Sequence, residues 1–213
     1  MANPEHLEFL KYDVEKWNEW RVNNPSDIDF NEVDIDLSKA NLSEAYLYDA
    51  NLSETDLTGA NLREANLIRA NLLSANLEGA NLFNANLEGA NLEGANLEGA
   101  DLEEANLFRA NFFRANLNGA NLKRANLFRA NLNGANLIKA DLNGADLIDV
   151  DLRMANLSGA NLEGANLEVA NLKGANLERA NLKGANLIKA NFEGANLIEA
   201  ILFGTILENE SML

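Results

Sequence analysis

The sequence predicts an all-β solenoid whose chain turns a corner every five residues, preceded by a short helical segment. Three observations carry this. A five-residue cycle runs without a slip from Ile35 to Leu207, all 14 glycines occupy one slot of that cycle, and both prolines, Pro4 and Pro25, lie outside it.

With Leu37 as the centre of the first unit, steps of five residues reach Leu207 and give 35 units with no insertion or deletion. The centre is Leu in 33 units and Phe in two, Phe112 and Phe192. Two positions before it stands Ala in 31 units, the exceptions being Ile35, Thr55, Val150 and Thr205. One position before it stands Asn or Asp in 32 units, and the two positions after it vary. On an α-helix a five-residue step turns about 500°, which smears the leucines around the axis. In a continuous strand an odd period sends successive leucines to opposite faces. Only a chain that turns at every unit keeps each Leu and each Ala inside. The glycine slot, two after the centre at Gly59, Gly79, Gly89 and onward to Gly204, marks the corner. A type II turn needs positive φ at its third residue, which Gly adopts without strain. Proline is absent from the repeat because each coil's N–H groups are needed to bond the next coil.

The flanks follow a different pattern. Residues 4–22 are predicted helical, with Asn3 as N-cap and Pro4 in the first turn. Leu7, Leu10, Val14 and Trp17 form one stripe, so residues 1–22 are expected to be a helix that caps the first coil. Residues 23–36 are expected to be a linker or irregular first coil, in which Phe30, Val33 and Ile35 do not fit the later register. Residues 37–207 are the repeat and 208–213 a tail. Near the end, Ile201 and Ile206 replace Asn, and Phe203, Met212 and Leu213 add apolar surface. That pattern suits a cap or a dimer contact.

Composition removes several function classes. The chain has no cysteine and one histidine, His6, so disulfides, thiolate metal sites and imidazole clusters are excluded. A secretory signal and a membrane-length apolar run are both missing, and a cytoplasmic location is expected. The net charge of −16 argues against nucleic-acid or anionic-membrane partners.

Units such as Ala80-Asn81-Leu82-Phe83-Asn84 resemble the pentapeptide repeat family, whose consensus is A(D/N)LXX. The resemblance covers about residues 35–207 and implies a right-handed quadrilateral β-helix with four units per coil. The period alone gives corners, not their number. Trp17-Asn18-Glu19-Trp20-Arg21 resembles the N-terminal helix of cyanobacterial members. On this basis 35 units make almost nine coils, roughly 42 Å long at about 4.8 Å per stacked strand.

No loop leaves the coils between residues 37 and 207, so no concave catalytic site is expected, nor any cofactor or metal. His6 is expected to be a surface or capping residue. Asp141, Asp146 and Asp151 fall on three successive faces and cannot converge on an ion. One face gathers apolar and aromatic residues in the position after the centre: Tyr48, Ile68, Phe108, Phe128, Ile148 and Ile188. Arg109 and Arg129 flank this ridge, and Phe113 lies on the adjacent face. It is the candidate protein-binding surface, although stacked side chains that merely support neighbouring coils give the same pattern. The expected function is a non-enzymatic protein-interaction or scaffold module that binds a protein partner or itself. The resemblance brings one alternative, a DNA-mimic regulator of a type II topoisomerase, since some family members imitate DNA. The charges oppose it. An acidic band (Glu78, Glu88, Glu93, Glu98, Asp101, Glu103, Glu104) is followed by a basic belt of Arg109, Arg114, Lys123, Arg124, Arg129 and Lys139.

Overall fold

The computed structural model describes residues 4–25, 28–30 and 36–207, with side chains from residue 8 onward. Every isolated backbone bridge in the repeat is parallel and joins residues 20 apart, from Asp36 with Asp56 to Asn186 with Ile206. Twenty residues are four pentapeptides, so the pairing fixes what the period left open: each coil has four sides.

The unit from Ala105 to Arg109 shows why five residues suffice for a side and a corner. Buried or bridging N–H groups must all find acceptors. Asn106 N–H bonds Ala85 O on the preceding coil at 2.9 Å, and Leu107 N–H and Arg109 N–H bond Asn126 O and Phe128 O on the next coil at 2.8 and 3.0 Å. Ala105 N–H closes the turn onto Leu102 O at 3.1 Å. That leaves Phe108 N–H, which the Asn106 side-chain oxygen accepts at 3.3 Å. The Asn106 amide then donates to Asn86 Oδ1 at 3.0 Å, and its oxygen accepts from Asn126 at 3.0 Å. The polar slot is therefore Asn because one residue must accept locally and also both donate and accept along the stack.

Glycine marks the corner but does not create it. All 34 corner residues from Lys39 to Gly204 have positive φ: 14 glycines at 63–73° and 20 other residues at 53–61°. Only the third residue of each Leu-X-X-Ala turn does so, as a type II turn requires. Inside, the central leucines from Leu37 to Leu187 are at most 1% exposed, as is Phe112. In the last coil Phe192, Leu197, Leu202 and Leu207 are only partly buried, and Ile198, Ile201, Phe203 and Ile206 are exposed. Met212 and Leu213 lie outside the described residues.

At the N-terminus the structure corrects the single helix expected over residues 4–22. There are two, α1 (Pro4–Tyr12) and α2 (Val14–Asn23). Asp13 separates them with φ −152°, and its carboxylate accepts the Lys16 N–H at 3.2 Å, starting α2 afresh. Leu10 and Trp17 of the expected stripe are fully buried and Val14 packs against the core. Asn3 and the side chains of His6 and Leu7 lie outside the described residues.

Helix α2 stands in for a missing coil on one side of the solenoid. The edge groups of Tyr46 are met by Asn18 Oδ1, which accepts its N–H at 2.8 Å, and by Trp17 Nε1, which donates to its carbonyl at 3.0 Å. Arg21, fully buried, donates to Tyr46 O at 3.2 Å and Tyr48 O at 2.6 Å. On the next side, strand β1 (Ile28–Asp29) pairs in parallel with β2 (Ala50–Asn51). The partners Ile28 and Ala50 are 22 residues apart, which is the register shift expected around Phe30. Phe30 is buried at 1% exposure and donates its N–H to Asn51 O at 3.1 Å. Val33 and Ile35 lie outside the described residues.

Candidate functional site

A stack of parallel bridges Asn106–Asn126–Asp146 sets three successive coils in register. The residue two places on from each is Phe108, Phe128 or Ile148, so these side chains form one row on one side. All three are half-buried. The Phe108 and Phe128 rings stack with centroids 5.6 Å apart and planes 29° from parallel. The Arg109 guanidinium lies 4.9 Å over the Phe108 ring and that of Arg129 4.9 Å over Phe128. Around the corner, Arg114 lies 4.8 Å over Phe113. Each arginine occupies a corner with φ of 56–58°, which turns its side chain back along the preceding ring.

The wider row is less continuous than its sequence suggests. Ile68 and Ile188 are half-buried, but Glu88 and Glu168 occupy the intervening positions on either side of the central group. Tyr48 belongs to the N-terminal junction: its ring lies 4.1 Å from the Arg21 guanidinium, and its hydroxyl donates to Arg21 O at 3.1 Å. The central patch is thus Phe108, Phe128 and Ile148 with Phe113 beside them.

The basic belt also reads differently once residues 20 apart become neighbours. Lys123 pairs with Asp141 at 3.2 Å and Arg129 with Asp149 at 2.9 Å, and Arg124 bridges Glu103 and Glu104. Arg109, Arg114 and Lys139 have no carboxylate partner among the described residues. The linear sequence showed no acid within the belt because its acids come from neighbouring coils.

Asp141, Asp146 and Asp151 each accept the N–H two residues on, at 3.1 Å, as the Asn slot does. Among the described residues no three His, Asp or Glu side chains group as a metal site would require. Burial works against ionisation of Asp151, but hydrogen bonds from the Arg153 side chain and N–H, with its charge, hold the carboxyl below its ordinary value. Elsewhere, a shallow groove at the break between α1 and α2 is lined by Glu8, Phe9, Tyr12, Asp13 and Lys16. Its lysine is already paired, Lys16 to Asp13 at 3.0 Å.

A family model for pentapeptide repeats matches the chain in 8 copies, the matched segments together covering residues 35–168 and 170–209. The chain belongs to the pentapeptide repeat family. Among solved members of that family, it is similar to HetL, a pentapeptide repeat protein involved in heterocyst differentiation regulation from the cyanobacterium Nostoc sp. strain PCC 7120. The two are 36% identical over 92% of this chain and 98% of HetL, with a TM-score of 0.54. It is also similar in fold to QnrB1, a plasmid-mediated fluoroquinolone resistance protein, at 18% identity over 75% of this chain and 84% of QnrB1, with a TM-score of 0.62. No curated protein matches the chain. In a pentapeptide repeat three of five positions answer to the backbone, so identity between members reports the shared frame first. No helix among the described residues is long and apolar enough to cross a membrane.

Proposed function

We propose that the chain is a non-enzymatic protein-interaction module, a rigid right-handed quadrilateral rod that presents the Phe108–Phe128–Ile148 ridge to a protein partner. One observation carries the reading: two aromatic rings on successive coils stack at 5.6 Å, and each is overlaid by an arginine. Aromatic and arginine side chains dominate binding hot spots because they bury large area with few rotatable bonds. The N-terminal helices act as the cap of the rod. The involvement of HetL in regulating differentiation suits a role of this kind, in which a rod without catalytic machinery acts through contact.

The test replaces Phe108 and Phe128 together with Ser and compares association with thermal stability. Association is read by ultracentrifugation for self-contact and by capture of a defined partner. Association should fall at least about tenfold, or 1.4 kcal/mol. Stability should fall modestly, because both rings are half-buried and stand outside the core of fully buried Leu and Ala. Unchanged association with a large loss of stability would show that the ridge only braces the coils.

A DNA-mimic regulator of a type II topoisomerase is the second reading, and the likeness to QnrB1 extends to the fold alone. The charge layout disfavours it. Glu88, Glu93 and Glu98 ring three sides of one coil, whereas the coils beyond them carry ion pairs and unpaired arginines. Purified protein should leave DNA gyrase supercoiling unaffected. Inhibition that disappears on neutralising Glu88, Glu93 and Glu98 would establish the mimic instead.

A further inference from the structure

We infer that the side of the coil between the Arg109 and Arg114 corners is a receptor for an acidic segment of a partner protein. The inference deepens the ridge reading and rests on it. Acids outnumber bases by 33 to 17 in this chain, so carboxylates are in ample supply. Six arginines accordingly hold one: Arg63, Arg69, Arg124, Arg129, Arg153 and Arg179. Arg21 is occupied by backbone carbonyls. Arg109 and Arg114 hold no carboxylate among the described residues. They sit on consecutive corners of one coil, with Phe113 between them.

Their geometry keeps them available. Each guanidinium lies over a phenylalanine ring, at 4.9 Å for Arg109 and 4.8 Å for Arg114. Stacking occupies the flat face and leaves the N–H groups, which point outward in the plane, free to grip a carboxylate with two parallel bonds. The ring also fixes the cation in advance, so less side-chain freedom is lost on binding. Glycine clears the surroundings. Gly94 and Gly134 occupy the Arg114 corner on the preceding and following coils, and Gly89 precedes Arg109. Nearby Glu93 is turned to the Asn stack, where its Oε2 accepts from Asn111 at 3.5 Å.

Charge complementarity therefore selects the occupant: an extended acidic stretch of a partner, its carboxylates on the two arginines and an apolar side chain on Phe113. The arginines are five residues apart in sequence, so less than about 17 Å of chain separates them. A short stretch of partner reaches both. The negative charge of the whole molecule does not prevent this, because at physiological salt the Debye length is about 8 Å and a contact reads its immediate surroundings. The same net charge disfavours nucleic acid, whose phosphates extend far past the corner.

The experiment uses the full chain and a short capped peptide with two glutamates on either side of a Leu-Phe pair. Controls are the same peptide with glutamine for glutamate and a short DNA duplex. Binding is followed by NMR at the arginine Nε–H groups and the Phe113 amide. The glutamate peptide should shift the Arg109, Arg114 and Phe113 signals, the glutamine peptide should not, and added salt should weaken the effect. The double variant Arg109→Glu, Arg114→Glu should bind at least about tenfold more weakly. It should fold normally, since Glu104 and Glu199 already occupy this corner slot at φ 61° and 58°. Absence of shifts, unchanged binding by the double variant, or shifts caused by DNA in place of the peptide would each overturn the inference. If Phe108→Ser with Phe128→Ser abolishes association while Arg109→Glu with Arg114→Glu does not, the ridge stands and the acidic partner falls. If the ridge substitutions leave association intact, the function proposed for the ridge falls.

Discussion

Val169 offers the sharpest test of the corner geometry. It is a β-branched residue at φ +53°, 41% exposed, in a slot where all 34 corners adopt positive φ. An L-residue in this region costs about 1–2 kcal/mol, and branching at Cβ places Val at the upper end. Glycine removes that strain but regains about 0.5–1 kcal/mol of unfolded-chain entropy. Val169→Gly should therefore stabilise the protein by about 1 kcal/mol, raising Tm by about 2–4 °C in a chain of this length. Gly164 supplies the converse. Its φ is +67°, and a Cβ added there meets nothing within 4 Å. Gly164→Ala thus probes the backbone alone and should cost about 1 kcal/mol. Thermal and urea denaturation of both variants measure the pair. A Val169→Gly protein no more stable than the parent, alongside a neutral Gly164→Ala, would refute the view that the repeat forces its corners against local preference.

Two further outcomes follow from the ends and the charges. Arg21→Ala leaves the carbonyls of Tyr46 and Tyr48 without a buried cationic donor, a loss of about 1.5–3 kcal/mol. The helical circular dichroism signal should melt before the β signal, since coil stabilities add locally; joint melting would count against α2 as a separate cap. Asp151 is held below its ordinary pKa, so its link to Arg153 stabilises the fold above the unfolded value of 3.8 and is lost as pH falls through the lower folded value. Arg153→Met should then be less stable than the parent at neutral pH, with the difference closing below pH 3.8, as acid titration of Tm will show.

The coil interior was legible from the sequence because three of five positions serve the frame: Ala and Leu fill it, and Asn completes its hydrogen bonding. The corner was legible chiefly at glycine. Of the other 20 positive-φ residues only Asp49, Asn84 and Asp149 are types that favour this region; in the rest the ladder on both sides sets the conformation. The number of sides needed the pairing of residues 20 apart, which no five-residue period contains. Asp13 was readable as an N-cap three residues before Lys16, but the continuous apolar stripe of Leu10, Val14 and Trp17 masked the break. The ridge was legible in the residues that recur every 20 positions. The attachment of Tyr48 to Arg21 was not, because it depends on where the helix lies. The ion pairs of Arg129 with Asp149 and of Lys123 with Asp141 were hidden by sequence distance.

The 20-residue coil also constrains how such a chain can change in length. Gain or loss of one pentapeptide preserves every turn and every buried Leu, yet it rotates everything beyond that point by one side. After a gain between Phe113 and Phe128, Phe128 would leave Phe108 and stand over Phe113, and Arg129 would move to the corner of Arg114. Only a step of 20 residues lengthens the rod while keeping each row aligned. The frame thus tolerates insertions in fives, but a surface pattern survives them only in twenties. Two members of equal regularity can carry the same residues and expose unrelated faces. A lineage that keeps the Phe108–Phe128–Ile148 row intact while its length drifts must change by whole coils.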